Sequence, residues 1–220
     1  MEDTRLIGDR TRRRPRPPRF SGTRVPTVCG EQLVDRDYCL RVAQHEAQQP
    51  VPLYRITTVC LGNICRSPIA EVVLADRIRR AGLSDRVLVD SAGTGDWHVG
   101  GQADRRTIAV LTQRGYQINH VPRQITSHWF TDINLLLAMD SANFTDLQRM
   151  SQSRPGASGT TSLRMLRSFD PDLDHLKEPH PDLDVPDPYY GNPEDFDLVL
   201  ALVERAADGV VNYVQLDLSR

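Results

Sequence analysis

The sequence predicts an α/β protein, a parallel sheet with helices on both faces. Two observations carry that expectation. From Tyr54 onward, apolar and β-branched runs alternate with amphipathic segments of helical period, the pattern left by parallel strands joined through helical crossovers. The chain also has 220 residues, 39% of them hydrophobic, enough for one core with an appendage to spare.

The appendage comes first. Residues 1–24 hold eight arginines against Glu2, Asp3 and Asp9, and Pro15, Pro17, Pro18 and Pro26 interrupt any helix. Such a segment buries too little apolar surface to fold alone. Glu31–Gln49 is weakly helical and ends at Pro50 and Pro52. Residues 1–53 are therefore expected to be an Arg/Pro-rich extension, disordered or weakly helical, with an electrostatic contact to an acidic partner as the alternative. A folded domain is expected over 54–217.

Within that domain Tyr54–Cys60 predicts a buried strand. Ser67-Pro68 marks a helix start, with Ser67 as N-cap and Pro68 at the first helical position. Ile69, Ala70, Val72, Val73, Leu74, Ile78 and Ala81 give that helix a broad apolar face, and Gly82 ends it. Val87–Ala92 predicts a second strand, with Gly93 and Gly95 in the loop beyond it. A helix over Asp104–Arg114 closes at Gly115. Ile133–Ala138 and Ser162–Leu166 predict the third and fourth strands, with a helix over Ala142–Gln152 between them. Residues 170–195 form a Pro- and Asp-rich loop, and the last helix runs over Asp195–Ala207, with Val214 as its outer limit.

Composition excludes several classes. The 27 basic and 29 acidic side chains leave a formal net charge of −2, so no overall field draws the protein to nucleic acid or an anionic membrane. The longest apolar runs, Leu135–Met139 and Leu198–Val203, are far short of the ~20 residues that span a bilayer. The Arg-rich start has no apolar stretch behind it, so no secretory signal is expected. Four cysteines, Cys29, Cys39, Cys60 and Cys65, are too few for a disulfide scaffold and suggest reduced thiols in a cytosol. A cytoplasmic protein without nucleic-acid or membrane partners is expected; the sequence leaves the oligomeric state open, with a monomer slightly favoured.

The chemistry concentrates between the first strand and the first helix, in Cys60-Leu61-Gly62-Asn63-Ile64-Cys65-Arg66-Ser67. Ligands of open α/β sheets bind at the carboxyl ends of the strands. Successive N–H groups of such a loop, with the positive end of the helix, make an anion cradle. The thiolate is the nucleophilic form of cysteine and is favoured in such a place. Arg66 adds a planar fork for two oxygens of a tetrahedral anion, and Gly62 is expected to let the backbone curl. Cys60 and Cys65 as half a zinc site would need histidines to complete it. A nucleotide-binding loop is excluded by the absence of Gly-Lys-Ser/Thr.

With these residues in place, positions 54–215 resemble the low-molecular-weight protein tyrosine phosphatases. The stretches that carry the resemblance are Val59-Cys-Leu-Gly-Asn-Ile-Cys-Arg-Ser-Pro68, Asp90-Ser-Ala-Gly-Thr94, Trp97-His-Val-Gly100, Met139-Asp-Ser-Ala-Asn143 and Asp187-Pro-Tyr-Tyr-Gly191. The resemblance implies a flavodoxin-like three-layer sandwich on a four-stranded parallel sheet. It implies Cys60 as the nucleophile that forms a phosphocysteine, Arg66 as phosphate clamp and Asp187 as general acid and base. The amides of Leu61, Gly62, Asn63, Ile64 and Cys65 belong to the phosphate loop, and Ser67 supports the thiolate. Asn63, Ser91 and His120 match a network that fixes the loop. Trp97, Tyr189 and Tyr190 are expected to line the substrate slot, partial core packing being the alternative. Cys65 is expected to form a reversible disulfide that protects Cys60. Asp140 fits a structural polar contact better than a catalytic one. Pro122 stands where a small residue is more usual, and the loop from Asp170 to Pro186 looks long.

The expected substrates are phosphotyrosine-containing proteins, with no metal or other cofactor. Arsenate reductases share the resemblance but need cysteines beyond Cys65. Protein-arginine phosphatases carry a smaller polar residue where Ile64 stands. A phosphopeptide-binding module without turnover would not need nucleophile and acid together.

Overall fold

A computed structural model describes residues 27–29, 32–34, 54–153 and 161–220, and the chain divides into two units, Met1–Pro50 and Val51–Arg220. In the first, β1 (Thr27–Cys29) and β2 (Gln32–Val34) form an antiparallel pair with Cys29 opposite Gln32. The expected helix from Glu31 is thus wrong over 32–34, which is a strand paired with β1. The rest of the extension, its expected disorder included, lies outside the described residues.

In the second unit, six of the seven residues of β3 (Tyr54–Cys60) are buried, as in a strand covered on both faces. It is followed by α1 (Arg66–Arg80), β4 (Val87–Gly93), α2 (Arg105–Gln113), β5 (Leu135–Ala138), α3 (Ser141–Gln152), β6 (Ser162–Met165) and α4 (Pro193–Asp217). The four strands stand in the order β4-β3-β5-β6, all parallel. This is the expected flavodoxin-like α/β sandwich. Alternate residues of β5 point to opposite layers. Leu135 and Leu137 pack with Ile69 and Leu74 of α1, Leu111 of α2 and Phe196 and Val203 of α4. Leu136 and Ala138 pack with Ile125, Phe130 and, from α3, Phe144 and Leu147.

Several boundaries differ from expectation for local reasons. α1 begins at Arg66 with Cys65 as N-cap, and no side chain caps it. Ser67 is therefore inside the helix, because its hydroxyl serves the preceding loop instead. Asp104 and Asp140 cap α2 and α3 from outside, accepting from the amides of Arg106 and Asn143. α4 starts at Pro193 behind an Asn192/Asp195 capping box and continues to Asp217, longer than its apolar face suggested.

The Pro- and Asp-rich segment is pinned rather than free. It contains a 3-10 turn at Pro181–Leu183, buries Leu183 and Val185, and donates Val185 N to Met139 O at 2.8 Å. That contact brings Asp187 to the carboxyl edge of the sheet, beside Cys60.

Gly209 lies inside α4, where an alanine would ordinarily gain about 1 kcal/mol of helix propensity. A Cβ there would meet Phe169 O at 2.1 Å. Gly209→Ala is therefore expected to destabilise the protein, by about 1–3 kcal/mol, as a lower midpoint in thermal or urea unfolding.

Candidate active site

A strand-to-helix loop that aims its N–H groups at one point cannot also satisfy them with its own carbonyls, so other segments must hold it. The residue that lets the chain turn is Asn63, at φ 54°. Gly62, expected to do this, is not left-handed, and a Cβ there would stand 3.1 Å from the His98 ring. Asn63 Nδ2 donates to Ser67 Oγ at 3.0 Å and to Ser91 Oγ at 2.8 Å, and its Oδ1 accepts from Arg123 N at 2.8 Å. Its carbonyl lies 2.8 Å from His120 Nε2. The other ring nitrogen of His120 lies 3.1 Å from Glu71 Oε2, which also accepts from Ser91 Oγ at 2.6 Å.

Sequence reasoning names Asn63, Ser91 and His120 but misses Glu71 and Arg123. Glu71 looks like one more polar residue on a helix, and Arg123 contributes through its backbone N–H to Asn63 and through Nη2 to Ser91 O at 3.1 Å. Gly93 permits the close approach of the two strand ends, since a Cβ there would sit 2.7 Å from Leu61 O. Pro122, the unusual residue between His120 and Arg123, needs no N–H and accepts from Gly100 N at 3.0 Å.

Within this frame the Cys60 sulfur is buried, accepts from Asn63 N at 3.3 Å and lies 3.0 Å from Ser67 Oγ. The Ser67 hydroxyl accepts from Asn63 and has one proton to give, to the sulfur or to Ala92 O at 3.3 Å. Arg66 is buried between two carboxylates. Nη1 donates to Asp140 at 2.5 Å and to Val185 O at 3.3 Å, and Nη2 donates to Asp187 at 2.7 Å. Nε is buried with no partner among the described residues. Burial works against the Arg66 cation, yet Cys60, Asp187 and Asp140 together hold its pKa above the ordinary value. Asp140, expected to make a structural polar contact, both caps α3 and fixes the guanidinium.

Cys60, Ile64, Cys65, Arg66, Asp187, Tyr189, Tyr190, Trp97 and His98 line one cavity of about 310 Å³, with Leu61 and Gly62. Trp97 and Tyr190 are 71% and 95% exposed, so they form its rim and do not pack into the core. His98 was not expected there; its ring centroid is 6.4 Å from that of Tyr189. Cys65 is a different kind of thiol from a cradled one. Burial, with Asp104, Cys60 and Asp187 acting in the same direction, pushes its pKa up to about 12.

The family model for low molecular weight phosphotyrosine protein phosphatases matches residues 55–220. The chain belongs to this family. A low molecular weight protein-tyrosine-phosphatase of Streptomyces coelicolor is 44% identical over 162 residues, 74% of this chain and 94% of that one. Among solved structures, a protein tyrosine phosphatase of Entamoeba histolytica crystallised with Hepes in the active site superposes with a TM-score of 0.65. It is 32% identical and covers 74% of this chain and 98% of its own. A Drosophila arginine phosphatase superposes equally well, at 28% identity over the same shares of the two chains. As a member of the family, the chain is a phosphatase enzyme whose substrates are phosphoproteins. Among the described residues no helix is long and apolar enough to cross a membrane.

Two expectations follow from this geometry. Asn63→Ala should cost about 2–4 kcal/mol in unfolding experiments, roughly 1 for a left-handed residue with a Cβ and about 1 for each side-chain hydrogen bond lost. Asn63→Gly should recover only the conformational part. Because the raised pKa keeps Cys65 a neutral thiol until the pH approaches about 12, iodoacetamide at neutral pH should leave the Cys65 position of native Cys60→Ser protein unlabelled. Labelling there, followed by peptide mass spectrometry, should appear only on unfolding.

Proposed function

We propose that the chain hydrolyses phosphotyrosine in proteins through a phosphocysteine on Cys60. The observation that carries this reading is the arrangement of Arg66. Arg66 lines the cavity; Asp140 and Val185 O hold Nη1, whereas Nη2 meets Asp187 and Nε is buried without a partner among the described residues. Two parallel N–H groups suit two oxygens of a phosphoryl group. A phosphate dianion competes with Asp187 for Nη2, so its arrival releases the Asp187 carboxyl to face the leaving oxygen.

The steps then balance. Cys60 thiolate attacks phosphorus, the S–P bond forms as the P–O bond to the aryl oxygen breaks, and protonated Asp187 delivers its proton to the leaving phenolate. Asp187 next takes a proton from water as that water attacks phosphocysteine, releasing inorganic phosphate and the thiolate. Arg66 and the amides of residues 61–66 hold the equatorial oxygens throughout, and their worth is greatest where charge develops. The nucleophile must stay reduced, which places the reaction in the cytosol. Cys65 has a role beside it as redox partner: a peroxide oxidises Cys60 to the sulfenic acid and is itself reduced, and the Cys65 thiol condenses with that acid, losing water to leave a disulfide.

The arginine phosphatase among the structural relatives raises a second substrate class. Phosphoarginine carries extra N–H donors, and Ile64 on the cavity wall offers them no acceptor, which favours an aryl ring.

Steady-state hydrolysis of phosphotyrosine and phosphoarginine peptides, with EDTA present, tests this reading. Turnover of phosphotyrosine should be abolished in Cys60→Ser and lowered ~10²–10⁴-fold in Asp187→Asn, the usual worth of a positioned acid. Preference for phosphoarginine would overturn the substrate assignment. Binding of phosphopeptide without turnover would overturn the chemistry.

A further inference from the structure

We infer that Arg106 is a positioning residue for the general acid, and that with Asp104 it sets the loop bearing Asp187 in register with the loop bearing Cys60. The inference rests on Asp187 being the acid.

Asp187–Gly191 lies outside any helix or strand, and little within it holds it still. Tyr189 N donates to Asp187 Oδ1 at 3.2 Å, and Gly191 N to Pro188 O at 3.0 Å. Besides the Arg66–Asp187 pair at 2.7 Å, the contacts that hold it come from the first turn of α2. Arg106 Nη2 donates to Tyr189 O at 2.9 Å and Nη1 to Gly191 O at 3.0 Å. These two carbonyls flank Tyr190, whose side chain is on the rim.

The guanidinium is itself fixed. Nε and Nη2 donate to the two oxygens of Asp104 at 3.0 and 2.9 Å, and the group lies 4.5 Å over the Phe196 ring of α4. These hydrogen bonds hold the Asp104 carboxyl below the usual carboxylate range, so the pair stays charged at neutral pH.

The other end of the bridge is the phosphate loop. Asp104 N donates to Ile64 O at 2.9 Å, so Asp104 touches the nucleophile's loop with its backbone and Arg106 with its carboxylate. A continuous path of hydrogen bonds thus runs from Ile64 through Asp104 and Arg106 to both sides of Tyr190. Lysine cannot replace the fork, since four N–H groups in one plane are in use.

The inference is tested with a series of aryl phosphates of rising leaving-group basicity, measured as kcat/KM, which reports the steps up to phosphocysteine formation. The variants are Arg106→Met, which keeps a stem on Phe196 but no donors, Arg106→Lys, Asp187→Asn and the Arg106→Met/Asp187→Asn double variant. With the acid in place, rates depend weakly on the leaving group; with it lost or misplaced, basic phenolates suffer and acidic ones do not. Asp187→Asn should steepen the dependence fully. Arg106→Met should steepen it in part, lowering kcat/KM about 10–100-fold for phenyl phosphate, the order expected when a reacting group shifts by about an ångström, and far less for a nitrophenyl phosphate. The double variant should match Asp187→Asn, and Arg106→Lys should resemble the Met variant.

If Asp187→Asn leaves the dependence unchanged, the acid is misassigned. If Asp187→Asn steepens it while folded Arg106→Met lowers all substrates equally or none, the positioning role is overturned.

Discussion

The site depends on one unfavourable conformation. Asn63 takes a left-handed φ with a side chain attached, a state that persists only when its surroundings over-determine it, at a cost on the order of 1–3 kcal/mol. What holds it comes from Ser67 at the adjoining start of α1 and from two segments distant in sequence: Ser91 in β4, and His120 with Arg123 in the loop after α2. Ser91 and His120 then converge on Glu71, one turn into α1. The helix whose N-terminus follows the Cys60–Cys65 loop therefore also fixes that loop. This explains why Ser67 is no N-cap: its hydroxyl is shared by Asn63 and the Cys60 sulfur.

The second constraint is a buried cation. Removing a guanidinium from water is costly unless it is paired and hydrogen-bonded, and Arg66 has two carboxylates for the purpose. They are not equivalent. Asp140 caps α3 and has an 18% exposed side chain, whereas the Asp187 side chain is 46% exposed and lies in an irregular segment. One partner is fixed by its duty to the fold, and the other is free to exchange. A cation with one permanent and one exchangeable anion suits a site that must be stable in itself and yet accept a second anion.

The parts legible in the sequence are those whose determinants are local. Tyr54–Cys60 matches its strand residue for residue, because six apolar or β-branched positions out of seven before a glycine-containing turn leave few alternatives. The order of strands and helices follows from the same alternation. Ends were less legible: β5 is shorter than its apolar run, and α4 extends to Asp217 under tertiary packing. The pairing of β1 with β2 was not legible, because a weak helical period covers Gln32–Val34. Glu71, His98 and Arg106 enter the site through contacts tens of residues away in sequence, which periodicity and spacing do not encode. Gly62 and Asn63 show the limit of residue preference. Glycine tolerates a left-handed turn most cheaply, but asparagine supplies the hydrogen bonds that make the turn rigid.

On the proposed chemistry, substrate choice is a matter of depth as well as polarity. The Cys60 sulfur is at the bottom of the cavity, with the residue only 3% exposed, while Trp97 and Tyr190 stand at the rim with most of their surface in water. A phosphoryl group must pass the rim before it meets the amides, Arg66 and sulfur. A phosphoserine or phosphothreonine holds its phosphate close to its own backbone, so that backbone would be drawn between exposed aromatic side chains and lose water without gaining partners. A phosphotyrosine keeps its backbone outside and fills the passage with a flat apolar ring, for which aromatic walls are the natural complement. The rim thus selects for the length and shape of the group that carries the phosphate, and the cradle below it recognises only the tetrahedral anion.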